Sequence, residues 1–90
     1  MYADVMIDAV EILKSNWKDF RFHLEFREEA GRGWVGKIVG KSPVYQMSLS
    51  ITTRELETIK NPKAVAEAYT DKLLELIKEK PNGLARKRIR

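Results

Sequence analysis

The sequence predicts an α+β fold, a two-layer sandwich in which a three-stranded antiparallel sheet carries helices on one face. Two observations predict the sheet: apolar and polar residues alternate without a break over residues 20–27, and they do so again over residues 45–51. Such alternation is typical of strands with one dry and one wet face. A third predicts the cover, since the segments flanking the sheet repeat apolar residues at helical spacing. The predicted order is therefore α-β-β-β-α-α.

The first helix is predicted over residues 3–16. Its apolar residues fall on one side of a helical wheel, and they are Tyr2, Val5, Met6, Ala9, Val10, Ile12, Leu13 and Trp17. The opposite side is charged, apart from Ile7, which is predicted to be an exposed apolar residue. This stripe would pack on the dry face of the sheet.

Three consecutive strands are predicted, from Phe20 to Arg27, from Trp34 to Lys41 and from Tyr45 to Ile51. The middle strand alternates more loosely, because it has apolar residues at both odd-numbered and even-numbered positions. Glycines in the loop over residues 28–33 suit the positive φ of a hairpin turn. The predicted dry face comprises Phe20, Phe22, Leu24, Phe26, Trp34, Ile38, Tyr45, Met47, Leu49 and Ile51.

Two further helices are predicted after the sheet. Thr52 and Glu55 have the spacing of a capping box, which predicts a short helix ending by residue 60. Asn61 followed by Pro62 combines a good N-cap with a proline suited to the first helical position. This pair predicts a longer helix from about residue 62 to 80, with an apolar stripe that includes Tyr69.

The charge distribution predicts one neutral domain, residues 1–80, and a basic, flexible C-terminal tail, residues 81–90. Residues 1–80 carry 13 Lys/Arg and 13 Asp/Glu, so the net charge of +4 comes entirely from the tail. The four cations of the tail are Arg86, Lys87, Arg88 and Arg90. A basic excess favours a polyanionic partner, and here that preference belongs to the tail more than to the domain.

Several classes of function lack the residues that they need. The chain has no cysteine and one histidine, so no metal site and no cofactor are predicted. His23 beside Glu25 in an alternating strand is read as an exposed polar residue rather than as a general base, and no enzyme is expected. No apolar run is long enough to span a membrane, and the first residues do not resemble a signal peptide. A cytoplasmic location is expected.

The wet face of the sheet is the candidate binding surface. Four cations are predicted there, with Glu25 as the one opposing carboxylate and with Val35 and Val39 as apolar islands; these cations are Arg21, Arg27, Lys37 and Lys41. Together with the tail they would contact phosphate groups without reading sequence. The predicted aromatic residues point inward or lie in helices, so base stacking is not expected. The function predicted is a non-catalytic nucleic-acid-binding module, with DNA and RNA both open.

The element order resembles that of double-stranded-RNA-binding domains, and residues 20–31 resemble their first strand and loop. The resemblance covers most of residues 3–80 as topology. That family presents a lysine cluster at the start of its last helix, whereas here Lys63 stands alone and a short extra helix intervenes. Its first helix lies in a minor groove, where this chain would present Asp4, Asp8 and Glu11. Membership of the family is not inferred.

An alternative function is a protein-interaction module or homodimer, such as an accessory or inhibitor-like protein, without a nucleic-acid role. Its candidate contacts are Val35 and Val39 on the wet face, Ile7 and Leu74 on outer helix faces, and the unprotected edges of the sheet. Edge strands can pair with another chain. Nucleic-acid binding is the function predicted first, and this interaction module is the alternative to it.

Overall fold

A computed structural model describes residues 2–81, which form three helices and one sheet in the predicted order. The elements are α1 (Tyr2–Asn16), β1 (Arg21–Glu29), β2 (Gly33–Lys41), β3 (Gln46–Thr52), α2 (Thr53–Ile59) and α3 (Pro62–Glu79). The strands are antiparallel with β2 in the centre, so β1 and β3 are both edges. Among these residues no helix is long and apolar enough to cross a membrane. The predicted α+β fold is confirmed.

The register divides the sheet into two faces. The closed face, most of which the helices cover, carries Phe22, Leu24, Phe26, Glu28, Trp34, Gly36, Ile38, Gly40, Met47, Leu49 and Ile51. The open face carries Arg21, His23, Glu25, Arg27, Glu29, Gly33, Val35, Lys37, Val39, Lys41, Gln46, Ser48, Ser50 and Thr52. This division follows from the period of two along each strand.

The core lies between the closed face and the helices α1 and α3, which pack against each other. Its fully buried side chains include Met6 and Leu13 from α1, Ile38 from β2, and Tyr69 and Leu73 from α3. These residues belong to the predicted apolar stripes and dry face. Burial of a large apolar side chain contributes about 1.5–3 kcal/mol, so the contact between these helices and most of the closed face stabilises the fold.

Tyr69 crosses the core to reach the sheet at a glycine. Its side chain is fully buried, and its hydroxyl donates a hydrogen bond of 2.8 Å to the carbonyl of Met47. Met47 is the register partner of Gly40, and a Cβ atom added to Gly40 would collide with the Tyr69 hydroxyl and lie 2.7 Å from Cε1 of Phe22. The glycine therefore makes room for the phenol.

Tyr2 repeats this arrangement near the other end of β2. Its hydroxyl donates a 2.7 Å hydrogen bond to the carbonyl of Ile51, which is the register partner of Gly36. A Cβ atom on Gly36 would lie 2.6 Å from that hydroxyl and 3.0 Å from Cε of Met6. Two glycines of the central strand thus let one tyrosine from α1 and one from α3 approach the backbone closely.

The local signals at turns and helix ends are confirmed. Thr52 and Glu55 form both hydrogen bonds of a capping box, and the Asn61 side chain caps α3 just before its N-terminal proline. Gly31 and Gly33 have positive φ values of 80° and 74°. β1 continues to Glu29, two residues beyond the predicted end, so the loop to β2 is only residues 30–32.

Part of the closed face is not covered, contrary to the prediction. Trp34 and Phe26 were expected to meet the helices, yet they are 50% and 39% exposed. α1 begins at Tyr2, whose ring meets Phe26 edge-on at 5.9 Å between centroids. Trp34 lies two register positions further along the strands, opposite Glu28 and next to the β1–β2 turn. The uncovered corner is therefore the end of the closed face next to the β1–β2 turn.

Candidate functional site

The four predicted cations of the sheet all lie on the open face, but they do not form one equivalent set. Arg21 and Lys41 are register partners at one end of the sheet, whereas Arg27 and Lys37 lie further along. The other four predicted site residues lie outside residues 2–81, and they are Arg86, Lys87, Arg88 and Arg90. The described part of the candidate site is thus the open face alone.

Arg27 forms an ion pair with a carboxylate on its own strand. Its guanidinium contacts the Glu29 carboxylate at 2.6 Å, and Arg32 contacts the same carboxylate at 2.9 Å. The hydrogen bond from Arg27, reinforced by the charge of Arg32, lowers the pKa of Glu29 below its usual value. The prediction that Glu25 alone opposes the cations is therefore wrong, because β1 extends to Glu29 and brings a second carboxylate onto the open face.

Lys37 also faces a carboxylate. Its Nζ atom lies 3.6 Å from Glu25, whose other oxygen is 2.8 Å from Nε2 of His23. The hydrogen bond from His23, followed by the charge of Lys37, lowers the pKa of Glu25. All three side chains are one third to one half exposed, so solvent screens these contacts and each is worth little energetically.

Arg21 and Lys41 are different from the other two cations. They stand directly opposite each other on β1 and β2, both are exposed, and neither forms an ion pair with any residue from 2 to 81. The third strand contributes Gln46 to the same row. Like charges directly opposite in a sheet repel each other. This end of the open face therefore concentrates positive charge and offers an amide beside it.

Val35 and Val39 are not the exposed apolar islands that the sequence predicts. Both lie on the open face, but they are only 2% and 6% exposed. Their strand is central, and longer side chains flank them in the register, with Arg27 beside Val35 and His23 beside Val39. Neither valine therefore offers a docking contact, and the accessible open face is polar and charged.

A groove of about 660 Å³ lies at the same end of the sheet as Arg21 and Lys41. It is formed by the turn from α1 to β1, the turn from β2 to β3, and the end of α3. Its lining is Asn16, Trp17, Lys18, Asp19, Phe20, Ser42, Pro43, Val44, Tyr45 and Ile77. The prediction that aromatic residues point inward holds only in part here, because Trp17, Phe20 and Tyr45 are half-buried.

Sequence reasoning missed this groove because its walls come from three separate segments. Trp17 fits the α1 stripe and Phe20 fits the β1 alternation, so each is explained by its own element. The one local signal is the turn Pro43–Val44–Tyr45. Its residues Val44 and Tyr45 are large and apolar, although turns are dominated by Gly, Pro, Asn, Asp and Ser.

The chain leaves the described region beside this groove. The Tyr45 hydroxyl lies 2.7 Å from the carbonyl oxygens of Lys80 and Pro81, to which it can donate. Pro81 is the last described residue. The point at which the basic tail is attached is therefore at the same end of the sheet as Arg21 and Lys41.

The one histidine forms a pair with a carboxylate on the open surface. His23 and Glu25 are both about half exposed, and the groove at the end of the sheet is lined by neither of them. Within residues 2–81 no group of three or more potential metal ligands comes together. Every buried polar side-chain atom in this part of the chain has a hydrogen-bond partner.

No family model, no curated protein and no solved structure matches this chain. The resemblance to double-stranded-RNA-binding domains thus remains one of element order.

Proposed function

We propose that the protein is a non-catalytic module that binds nucleic acid through phosphate groups and acts in the cytoplasm. The observation that carries this proposal is the Arg21–Lys41 pair, two exposed cations held opposite each other with no carboxylate from residues 2–81 in ion-pair contact. A bound phosphate would relieve the repulsion between them and accept hydrogen bonds from both.

The attachment point of the tail supports the same partner. Four cations follow the described residues, and the chain reaches them from Pro81, which lies at the end of the sheet that carries the Arg21–Lys41 pair. Each cation that neutralises a phosphate releases counterions, so the two groups together give an affinity that falls steeply with salt. Phosphate contacts position a protein without reading sequence, and non-sequence-specific binding is expected.

Titration of duplex and single-stranded DNA and RNA at two salt concentrations tests the proposal. Arg21→Gln with Lys41→Gln should weaken binding and reduce the slope of log K against log salt by up to about 1.8, at roughly 0.9 for each lost phosphate contact on duplex DNA. The matched control is Arg27→Gln with Lys37→Gln, which removes the same charge from the same face but from cations that already have carboxylate partners. A smaller loss is expected for the control.

The outcome that would contradict the proposal is equally specific. Equal losses for both double variants would mean that net charge, and not the Arg21–Lys41 pair, determines binding. Binding weaker than about 10⁻⁴ M to every nucleic acid, at the weak end of non-specific affinities, would refute the function. A chain that ends at Lys80 measures the contribution of the tail separately.

The second candidate function is a protein-interaction module or homodimer without a nucleic-acid role. The observation in its favour is the exposure of large apolar side chains, with Ile7 47%, Leu74 51% and Trp34 50% exposed. Exposed apolar residues are individually ordinary. Absence of nucleic-acid binding, together with a mass that rises with protein concentration, would favour this function over the first.

A further inference from the structure

The outer edge of β1 is the largest unpartnered backbone surface of the described sheet. β1 has nine residues, Arg21–Glu29, and pairs with β2 on one side only. We propose that this edge pairs antiparallel with β1 of a second copy, about a two-fold axis at Phe26, so that two sheets join into one of six strands. The proposal does not rest on nucleic-acid binding.

The hydrogen-bond pattern shows which residues of β1 direct their backbone groups outward. The N–H of Ser42 donates to the carbonyl of Tyr45 at 2.7 Å, which makes this a hydrogen-bonded pair of the β2–β3 ladder. Hydrogen-bonded pairs alternate in an antiparallel ladder, so the even-numbered residues of β2 bond to β3 and the odd-numbered ones bond to β1. In the β1–β2 register, odd-numbered residues of β1 pair with odd-numbered residues of β2, so the odd-numbered residues of β1 bond to β2. The even-numbered residues of β1 therefore direct their N–H and C=O groups to the free edge, and these are Phe22, Leu24, Phe26 and Glu28.

Those outward groups permit a two-fold axis at an even-numbered residue. With the axis at Phe26, the Phe26 residues of the two copies form a hydrogen-bonded pair. The closed faces of the two sheets then lie on the same side, as the pleat requires. Phe22, Leu24 and Glu28 offer the same backbone geometry. The choice among registers therefore depends on the side chains.

The open-face charges of β1 favour the axis at Phe26. In this register Glu25 of each copy lies opposite Arg27 of the other copy. His23 of each copy lies opposite Glu29 of the other, so the row contains no pair of like charges. Moving the axis to Leu24 would place Arg21 opposite Arg27 twice, and moving it to Glu28 would place that glutamate opposite itself. An axis at Phe22 would pair only residues 21–23 within β1. Moving the axis one residue from Phe26 to Glu25 would place Glu25 opposite itself. Opposite charges across strands stabilise a pair and like charges destabilise it.

Exposed apolar side chains support a second copy of the chain as the partner of this edge. Phe26 is 39% exposed although it lies on the closed face, and in the proposed register it meets its own copy. On α1, Val5 and Ile12 line grooves shared with α2 and α3. Ile7 lies about 150° around the helix from their midpoint, at 100° per residue, on the flank that faces away from α2 and α3. Its side chain, 47% exposed, is therefore accessible on the flank of α1 turned away from the other two helices.

The other edge of the sheet is less available. β3 has seven residues, and Lys72 from α3 donates a 3.1 Å hydrogen bond to the carbonyl of Ser48 on that strand. A charged side chain placed on an edge strand discourages pairing with another chain. No such contact from residues 2–81 reaches a β1 carbonyl in the hydrogen bonds between side chains and backbone.

Sedimentation equilibrium of the full chain tests whether the second copy binds. The mass should rise from 10.4 kDa toward twice that value with concentration. Glu25→Arg and Arg27→Glu should each weaken the dimer by roughly ten- to a hundredfold, because each places two like-charged pairs in the interface. The combined variant restores opposite charges in this register and should recover dimerisation. Glu75→Arg, on the exposed surface of α3, is the matched control and should leave the mass unchanged.

A single cysteine reports the register directly, because the chain has no cysteine of its own. Hydrogen-bonded partners have Cα atoms about 5.5 Å apart, within disulfide reach, so Phe26→Cys should oxidise to a covalent dimer. Glu28→Cys places its copies four residues out of register, about 13 Å apart along the strands, and should stay unlinked. A mass that remains at one chain up to about 1 mM, a binding free energy of about −4 kcal/mol, overturns the proposal, as does efficient cross-linking of Glu28→Cys but not Phe26→Cys.

Discussion

Gly40→Ala should destabilise the fold because the added methyl group has no space. Its carbon would collide with the Tyr69 hydroxyl and lie 2.7 Å and 3.0 Å from two ring atoms of Phe22. Tyr69 is fully buried and donates to Met47, so it cannot move aside without losing that hydrogen bond. Overpacking of this kind costs about 1–3 kcal/mol, a measurable part of the roughly 5–15 kcal/mol of a typical domain.

A double-mutant cycle identifies the hydroxyl as the cause. Tyr69→Phe alone should cost about 0.5–1.5 kcal/mol, the net contribution of one hydrogen bond. In the Gly40→Ala/Tyr69→Phe variant the closest obstacle is removed, so the total cost should fall below the sum of the single costs by at least about 0.5 kcal/mol. Urea unfolding followed by circular dichroism gives all four free energies of unfolding.

Gly36→Ala is the internal comparison. Its added carbon would meet Tyr2, which is only half-buried, and the end of the flexible Met6 side chain at 3.0 Å. Because both neighbours can yield, a smaller cost than for Gly40→Ala is expected. Additivity of the Gly40 cycle within about 0.5 kcal/mol, or a neutral Gly40→Ala, would refute the steric argument.

Three further predictions concern stability. Burial raises the pKa of Tyr69 to about 12 from its usual value of 10.0. The folded state favours the protonated phenol, so this contribution to stability is complete below about pH 10 and is lost, by up to about 2.7 kcal/mol, as pH rises through 12. Urea midpoints of Tyr69→Phe should therefore decline less over that window than those of the wild type. Val35→Ala should cost about 1.6 kcal/mol for two buried carbons, as seen by thermal unfolding, whereas a change within about 0.5 kcal/mol would mean that this valine behaves as a surface residue. Thr52→Ala removes the cap of α2 and should cost about 0.5–2 kcal/mol in denaturant titration, and an unchanged midpoint would show that the capping box contributes nothing.

The fold class and the local features of this protein could be predicted from its sequence. Period-two alternation predicts β1 and β3, helical spacing predicts α1 and α3, and the caps at Thr52 and Asn61 follow from residue type and spacing alone. All of these are decided by interactions within one element or between near neighbours in the chain. The excess of basic residues after residue 80 is likewise a property of the sequence itself.

The charges of the candidate site could be predicted, but their partners could not. Arg27 and Lys37 acquire carboxylates, whereas Arg21 and Lys41 face each other. That difference depends on where β1 ends and on the register between β1 and β2, which the three-residue loop over residues 30–32 sets. A shift of one residue in register would exchange the two faces of a strand, so the tertiary structure decides which cations are available.

Burial on both faces was also decided by tertiary structure. Val35 reads as an exposed residue in an alternating strand, yet its strand is central and the residue is 2% exposed, while Trp34 reads as core and is 50% exposed. The sequence by itself determined which elements form and on which face each side chain stands. Whether a side chain on that face meets solvent, a helix or an opposite charge depends on segments distant in the chain, because exposure is set by what packs alongside.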